Sequence, residues 1–264
     1  MDYAHISSVE ARQLIRSGEW KRPTTGLALG YVQANLVILP QSWAQEFAEF
    51  CHLNPRPAPL LDMTEPGNPH PMKVAPEADL RTDVPLYRVY SAGKLVEEPE
   101  NILSHWREDF VAFLLGCSFS AERALIEQGI RLSHLELGKN VAMYRTSIPC
   151  TATSRIRGSL VVSMRPIEKA MVERVAEITS NYPLAHGAPV HIGDPATLGI
   201  ADLTQPDWGD AVQMTDDQVP MFWACGVTPQ AVIMEVKPEI AITHSPSHMF
   251  ITDWPDTAIY QHAG

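Results

Sequence analysis

Apolar and polar positions alternate along the chain in short blocks, and their spacing predicts helices and strands in mixed order. Trp43, Phe47 and Phe50 recur at the spacing of one helical face, and Ser7 with Glu10 forms a capping-box pattern before a first helix. Unbroken apolar and β-branched runs predict buried strands. The predicted helices cover 8–16, 41–52, 102–114, 120–128, 168–180 and 228–236. The predicted strands cover 30–39, 60–63, 141–147, 158–164, 190–193, 220–225, 240–243 and 248–252, with a hairpin over 86–96.

The order of these elements favours an α/β protein with more than one part. Helix, strand, strand, helix and strand follow one another over 120–193, which predicts a small two-layer α+β unit. Strand, helix and strand then follow over 220–243, and a connection of about 13 residues is just long enough for a parallel crossover. We therefore expect the two strands of that crossover to lie in one sheet.

Composition narrows the class of protein. Apolar residues make up 45% of the 264 positions, as in a folded globular chain, and the 22 prolines predict long, ordered, extended loops. The net charge of −11, without clustered lysine and arginine, excludes a nucleic-acid-binding surface.

No apolar run reaches the ~18 residues of a membrane span, and the first residues lack the pattern of a secretory leader. The four cysteines lack C-x-x-C spacing, so we expect reduced thiols in a cytoplasmic protein; a homo-oligomer is left open.

The strongest local pattern for chemistry begins at Cys225. Thr228 is predicted as a helix N-cap, and Gly226 permits a sharp turn from strand to helix. The free N–H groups at such a helix start attract carboxylates and would lower the pKa of a Cys225 thiol facing the turn. Gly226, Thr228 and Gln230 are therefore candidate substrate contacts, and Cys225 is a candidate catalytic residue. A well-capped helix beside a buried cysteine explains the same pattern.

Two histidines lie in the loop that follows the next predicted strand. His244 and His248 suit proton transfer because imidazole titrates near neutral pH, and Ser247 between them is a candidate substrate contact. Under the predicted crossover, this loop and the Cys225 turn share the sheet edge at which open α/β proteins bind ligands. The histidines could instead ligate a metal, but Pro246 removes helical spacing and a third ligand is missing. We expect no metal.

A third candidate lies at the end of the predicted strand over 190–193. A carboxylate such as Asp194 beside the imidazole of His191 can orient that ring or act as the base itself. An Asx-type turn, in which Asp194 bonds to nearby backbone, explains the pattern equally well.

Arginine supplies the anion recognition that an acidic chain otherwise lacks. Arg88 in the predicted hairpin and Arg145 in a predicted strand are candidates to bind a substrate carboxylate, because a guanidinium forms a bidentate fork. Structural ion pairs are the alternative for each. Gln33 and Asn35 are candidates for neutral amide contacts with the substrate.

Several longer motifs together resemble one known family. The motifs are GYVQAN at 30–35, FC and NP near 50–55, YRT at 144–146, HIGDP at 191–195, FWACGVTPQ at 222–230 and ITHSP at 242–246. They resemble the D-glutamate cyclase family, whose bacterial members carry the label hydro-lyase, and the resemblance runs from about residue 5 to 260. The common dinucleotide, P-loop, nucleophile-elbow and zinc-protease motifs are missing from the chain.

The resemblance implies both a fold and a reaction. The fold is α/β, with a three-layer α/β/α domain and a smaller two-layer α+β domain inserted into it. On this chain we expect the smaller domain over 118–186 and the larger one over 1–117 and 187–264. The reaction is that of a carbon–oxygen hydro-lyase, which cyclises D-glutamate to 5-oxo-D-proline with loss of water, or acts on a related small carboxylate. Such chemistry requires no cofactor.

The cyclisation needs a base, an acid and donors for the oxyanion. Asp194 or His191 is expected as the base and His244 as the acid. Arg88 or Arg145 is expected at the α-carboxylate, and the helix start at Thr228 is expected at the γ-carboxylate.

Two other functions stay open at this point. One is a non-catalytic protein that binds a small anionic carboxylate in the same pocket. The other is an amidase whose nucleophile, Cys225, pairs with His244 or His248.

Overall fold

The computed structural model describes residues 3–261, which form six α-helices and eleven β-strands. The helices are α1 Ser8–Arg16, α2 Gln41–Leu53, α3 Phe119–Glu127, α4 Ser133–Glu136, α5 Val172–Ser180 and α6 Val227–Val236. The first five strands are β1 Tyr31–Pro40, β2 Leu60–Met63, β3 Tyr87–Ser91, β4 Lys94–Glu97 and β5 Phe110–Gly116. The others are β6 Ala142–Pro149, β7 Ser159–Glu168, β8 His191–Ile192, β9 Gln218–Ala224, β10 Ile240–His244 and β11 Phe250–Pro255.

The strands form two antiparallel sheets. The larger sheet has the order β2-β5-β1-β10-β3-β4, and β11 pairs with β1 as well. The smaller sheet has the order β6-β7-β9-β8. Apolar residues of both sheets contribute to the largest buried cluster, which includes Leu36 and Ile38 of β1 together with Met221 and Trp223 of β9. The mixed α/β class is therefore confirmed, and the three-layer arrangement with an inserted domain stays a prediction.

The smaller sheet extends past the predicted domain boundary. Its strands β8 and β9 come from residues after 186, where the larger domain was expected to resume. The division at residues 118 and 186 stays a prediction.

The predicted parallel crossover over 220–243 is wrong. β9 and β10 form as expected on either side of α6, but β9 belongs to the smaller sheet and β10 to the larger one. The helix α6 thus connects two sheets and does not return the chain to the same one. The apolar pattern correctly predicted β9, α6 and β10 as elements. Which strands β9 and β10 pair with depends on contacts between residues far apart in sequence, which the pattern does not contain.

The predicted helix over 102–114 is also wrong. Most of its apolar residues belong to β5, a strand in which all seven residues are buried. A strand covered on both faces has an unbroken apolar run, and such a run can also match helical spacing by chance.

One irregularity in the larger sheet creates space near its centre. Val37 of β1 pairs with Thr243 of β10, and Ala34 of β1 pairs with Phe250 of β11. The six residues 244–249 therefore lie opposite only two residues of β1, Asn35 and Leu36. β10 and β11 act as one strand interrupted by a loop, and that loop forms a wall of the candidate site.

Candidate functional site

A cavity of about 30 Å³ lies where the interrupted strand of the larger sheet meets the smaller sheet. We call it the inter-sheet cavity. The larger sheet contributes Asn35, His244 and the loop with Ser247, and the smaller sheet contributes Ser163 and the turn at Cys225. The complete lining is Asn35, Cys117, Ser118, Phe119, Val141, Met143, Ser163, His186, Cys225, Gly226, Val227, His244, Pro246, Ser247 and Met249.

His244 lies at the end of β10 and is 1% exposed. Its Nδ1 lies 2.7 Å from the carbonyl oxygen of Ser245, and because a carbonyl only accepts, Nδ1 carries a hydrogen. Its Nε2 lies 2.6 Å from Nε2 of Gln230 and 3.1 Å from Oδ1 of Asn35. Burial lowers the pKa of His244 to about 4, although the Ser245 carbonyl acts in the opposite direction. The ring is therefore neutral near pH 7, and Nε2 accepts from Gln230.

Asn35 presents its oxygen to this imidazole because its amide nitrogen is held elsewhere. Nδ2 of Asn35 donates to the carbonyl oxygen of Gly116 at 2.9 Å, which directs Oδ1 towards Nε2 of His244. An acceptor at that position can receive a hydrogen bond from Nε2 whenever His244 is protonated.

Gly226 is required by the same amide. A Cβ atom built on Gly226 would lie 2.1 Å from Nδ2 of Asn35, a distance that real Cβ atoms essentially never show. The φ of Gly226 is −65°, which any residue adopts. Close approach of β1 to the start of α6 is therefore what demands glycine here.

Two predictions at this turn are wrong. Thr228 is not the N-cap, since α6 begins at Val227 after Gly226, and the Thr228 hydroxyl bonds to the backbone N–H and carbonyl of Val161. The Cys225 pKa is not lowered: burial raises the pKa of its thiol to about 11, outweighing a backbone hydrogen bond from Val227 and the charge of Arg165. Burial of the sulfur therefore outweighs the effect of the helix start.

A protonated thiol does not suit the amidase mechanism. Activated cysteines have a lowered pKa and a paired base. Within the described chain, no hydrogen bond joins Cys225 to His244 or His248. His248 itself donates from Nδ1 to the carbonyl oxygen of Pro246 at 2.8 Å, and it lies outside the cavity lining.

His191 and Asp194 lie apart from this cavity, in a local turn. The Asp194 carboxylate accepts from the Ala196 N–H at 3.0 Å, which is the Asx-type turn that sequence left open. Nε2 of His191 contacts the Asp194 carbonyl and the Thr197 hydroxyl, and its ring lies 5.8 Å from that of Phe222. No contact joins the His191 ring to the Asp194 carboxylate within residues 3–261.

The two predicted arginine clamps are engaged in ion pairs. Arg88 donates to Glu98 at 2.7 Å, and Arg145 donates to Glu235 at 2.7 Å. Gln33 is also removed from the cavity, since its side chain bonds to Thr24. Of the predicted residues, the structure brings together Asn35, Cys225, Gly226, His244 and Ser247 on the lining and Gln230 behind His244.

A buried ionic network beside the cavity was not predicted from the sequence. Arg165 of β7 donates to Glu122 at 2.6 Å, and the same carboxylate oxygen lies 2.9 Å from His134 Nε2. Burial alone would raise the pKa of Glu122, but the Arg165 and His134 side chains outweigh it and lower the pKa to about 2. A charged residue inside an otherwise apolar strand was the available signal, because such residues are seldom buried without a purpose.

His186 was also missed and lines the same cavity. Its Nδ1 donates to the carbonyl oxygen of Arg56 at 2.6 Å. Burial lowers the pKa of His186 to about 4, and the charge of Arg165 acts in the same direction. The preceding residues gave no motif, so spacing alone could not identify it.

A larger concavity of about 420 Å³ lies on the outside of the molecule, between α4 and the end of β7. We call it the outer groove. Its charged lining is Arg131, Glu136, Glu168 and Asp217. Three acids and one base disfavour an anionic substrate, and Arg131 with Glu136 forms an exposed ion pair.

A membrane-spanning helix and a metal centre are both without support among the described residues. No helix among them is both long enough and apolar enough to cross a membrane. No three of their histidine, cysteine and acidic side chains form a group that could hold a metal ion.

Comparison with known proteins gives consistent matches over nearly the whole chain. A family model described as D-glutamate cyclase matches residues 111–253. A Geobacillus kaustophilus protein is 56% identical over 253 residues, covering 96% of each chain. One from Verminephrobacter eiseniae is 57% identical, covering 96% of this chain and 92% of its own, and one from Bacillus subtilis is 52% identical, covering 95% and 97%. All three carry the name "Putative hydro-lyase".

Similarity to solved structures is weak. A nitrogen repressor-like protein from Methanococcus jannaschii covers 92% of this chain and 97% of its own at 9% identity, with a TM-score of 0.39. That value is too low to argue a shared fold.

Proposed function

The chain belongs to the D-glutamate cyclase family, and we propose that it cyclises D-glutamate to 5-oxo-D-proline with loss of water in the inter-sheet cavity. Its relatives are named as hydro-lyases, which supports a lyase. The observation that carries the proposal is the contact of His244 with Asn35 and Gln230 on the wall of a buried cavity. Apart from Asn35, these residues lie within the segment that the family model matches.

The proton balance of the reaction suits one imidazole. The substrate ammonium loses two protons when it becomes the lactam N–H, and the leaving carboxylate oxygen gains two protons when it becomes water. A single group that accepts a proton from nitrogen and returns it to oxygen therefore suffices. No net proton is taken up or released.

His244 fits this role as base first and acid second. Burial keeps it neutral, so Nε2 can accept a proton from the substrate ammonium when that ammonium replaces the Gln230 N–H as its donor. Once protonated, Nε2–H can donate to Asn35 Oδ1 until the proton passes to the leaving oxygen. The base role replaces that expected for Asp194 or His191, which lie apart from the cavity.

The start of α6 supports stabilisation of the tetrahedral oxyanion. Gly226 and Val227 line the cavity at the N-terminal end of a ten-residue helix, where the dipole favours negative charge. The protonated Cys225 thiol beside them stays out of covalent chemistry, since direct attack by the amine needs no acyl intermediate.

Substrate entry requires the cavity to widen. A volume of about 30 Å³ holds only about two water molecules, and D-glutamate is larger. Ser118, Phe119, Cys225 and Pro246 are the half-buried residues of the lining, so we expect them to form its rim and to move apart.

The test is direct turnover of purified protein. D-Glutamate and L-glutamate are incubated separately, and 5-oxoproline is measured by chiral chromatography. We expect product from D-glutamate and a fall of about 10²–10⁴-fold in kcat for His244→Gln. His191→Gln is the matched control, because that ring lies in a separate turn, and it should retain wild-type turnover.

Two outcomes would contradict the proposal. Wild-type protein that binds D-glutamate without forming 5-oxoproline would indicate the non-catalytic carboxylate-binding protein. Full activity of His244→Gln would remove this cavity as the catalytic site.

A further inference from the structure

Arg165 is a buried cation whose hydrogen bonds are incomplete. The residue is 3% exposed. Its Nη2 donates to Glu122 and to Ser118 Oγ at 3.0 Å, and its Nη1 reaches Ser163 Oγ at the long distance of 3.3 Å. Its Nε is buried and has no acceptor among residues 3–261. Because a buried donor without an acceptor is unfavourable, this guanidinium is suited to receive one from a ligand.

Other arginines of the chain pair with acids in a different way. Arg16 with Asp83 and Arg123 with Asp256 use Nε and Nη2 together, one hydrogen bond to each carboxylate oxygen. Arg165 contacts a single oxygen of Glu122 through Nη2 alone. Glu122 therefore compensates the positive charge of Arg165. The Nε of Arg165 keeps no hydrogen bond, and its Nη1 has only the long one to Ser163.

The guanidinium lies directly behind the inter-sheet cavity. Ser118 and Ser163, its two hydroxyl partners, both line that cavity. Ser118 also lines a second hollow of about 10 Å³, together with Arg165 itself and Trp223. Ser118, which is half-buried, is thus shared by the linings of both spaces.

The hydroxyl groups of Ser118 and Ser163 can donate hydrogen bonds into the inter-sheet cavity. Each accepts from Arg165, and in the described part of the chain neither finds an acceptor for its own hydrogen. The charge of Arg165 also acts on the thiols of Cys117 and Cys225 and on His186, all of which line the cavity. A positive charge with several convergent donors complements a carboxylate.

We propose that Arg165, Ser118 and Ser163 bind the α-carboxylate of the substrate, the group that survives unchanged in 5-oxoproline. This subsite rests on the proposed function for the identity of the ligand. It assigns to Arg165 the recognition that sequence placed on Arg88 or Arg145, and it makes the enzyme specific for small acids bearing a free carboxylate. Glu122 and His134 act through Arg165 as positioning residues.

Binding measurements separate recognition from turnover. Isothermal titration calorimetry compares 5-oxo-D-proline with its primary amide, 5-oxo-D-prolinamide, which has the same ring without the charge. We expect wild-type protein to prefer the acid by at least about tenfold in Kd, and Arg165→Lys and Ser163→Ala each to lose about tenfold in affinity for the acid alone. Arg123→Lys, which alters an arginine outside the cavity, should bind as wild type.

Ser163→Ala and Ser118→Ala decide the question if Arg165→Lys does not fold, since they leave the ion pair in place. Equal wild-type affinity for acid and amide would overturn the subsite, as would unchanged affinity in all three variants. The two proposals fail separately. Turnover of D-glutamate with KM unchanged in all three variants overturns the subsite alone, whereas carboxylate binding through Arg165 without any turnover overturns the reaction alone.

Discussion

The outer groove is more than ten times as large as the inter-sheet cavity, about 420 against 30 Å³, and the two also differ in the solvent exposure of their charged side chains. Arg131 and Glu136 in the groove have side chains that are 72% and 44% exposed, so water screens their charges. Arg165 and Glu122 beside the cavity are 4% and 6% exposed. The same pair of residue types is thus a surface contact in one place and a desolvated one in the other. In this molecule, burial of convergent polar groups locates the candidate site better than volume does.

The largest expected contrast is in stability. Arg165→Met leaves the buried Glu122 carboxylate with His134 alone, and breaking a buried pair costs about 3–5 kcal/mol of the free energy of unfolding. Arg131→Met breaks an exposed pair that water screens, so its loss of stability should be much smaller. Urea denaturation of both variants measures the difference. Equal losses would show that the two regions do not differ as the solvent exposure indicates.

A smaller loss is expected at Gly226. The added methyl of Gly226→Ala meets the Asn35 amide, and such overpacking costs about 1–3 kcal/mol. Asn35→Ala in the same chain removes the clash, so the double variant should be more stable than the sum of the two single losses predicts. Thermal or urea unfolding of the three variants completes the cycle. Strict additivity would mean that the Asn35 amide is not what excludes a side chain.

The two regions should also respond differently to pH. His186 and His244 have pKa values lowered to about 4 by burial, so between about pH 4 and 6.5 the unfolded chain binds protons that the folded chain does not. Stability therefore rises with pH across this window, by up to about 1.4 kcal/mol per pH unit for each histidine. His186→Gln should reduce that slope by about one such contribution, as measured by urea unfolding at several pH values.

Glu136→Gln in the outer groove provides the control for this slope. Arg131 lowers the pKa of Glu136, so its contribution to stability is lost only as the pH falls below about 4.5. Its slope between pH 5 and 6.5 should match that of the wild type. A slope changed by Glu136→Gln but not by His186→Gln would reverse the assignment.

The smallest expected effect is at Cys225. Its thiol is protonated at neutral pH and takes no covalent part in the proposed reaction, so Cys225→Ala should change kcat for D-glutamate by less than about threefold. A loss of several hundredfold would restore the amidase-like mechanism.

Local features of the fold were predictable from sequence. The capping box at Ser7 and Glu10 forms as expected, and so do the hairpin around Gly93 and the helix over 41–52. Each depends on residues within one turn or one strand pair, where spacing and turn chemistry suffice. The convergence of Cys225, His244 and Ser247 on one cavity was also expected. The prediction placed them at one edge of a single sheet, whereas in the structure they come from two different sheets.

The misassigned features depend on contacts that spacing does not encode. β5 matched a helix because both of its faces are buried, and β9 and β10 matched a parallel pair because nothing local states which sheet a strand joins. Arg165 escaped notice because the predicted strand stopped at 164, one residue before it. Its burial against Ser118 and Glu122 and over the Trp223 ring depends on packing between distant segments, which only the folded structure supplies.

The interrupted strand opposite β1 has a consequence for how the protein is made. β1 emerges early from the ribosome, but two of its three partner strands, β10 and β11, begin about two hundred residues later. Pairings of such separation form slowly, and until they form one edge of β1 is open. The contact between His244 and Asn35 can therefore form only near the end of synthesis. A chain released before about residue 255 leaves part of the apolar strand β1 unpaired and lacks the complete candidate site.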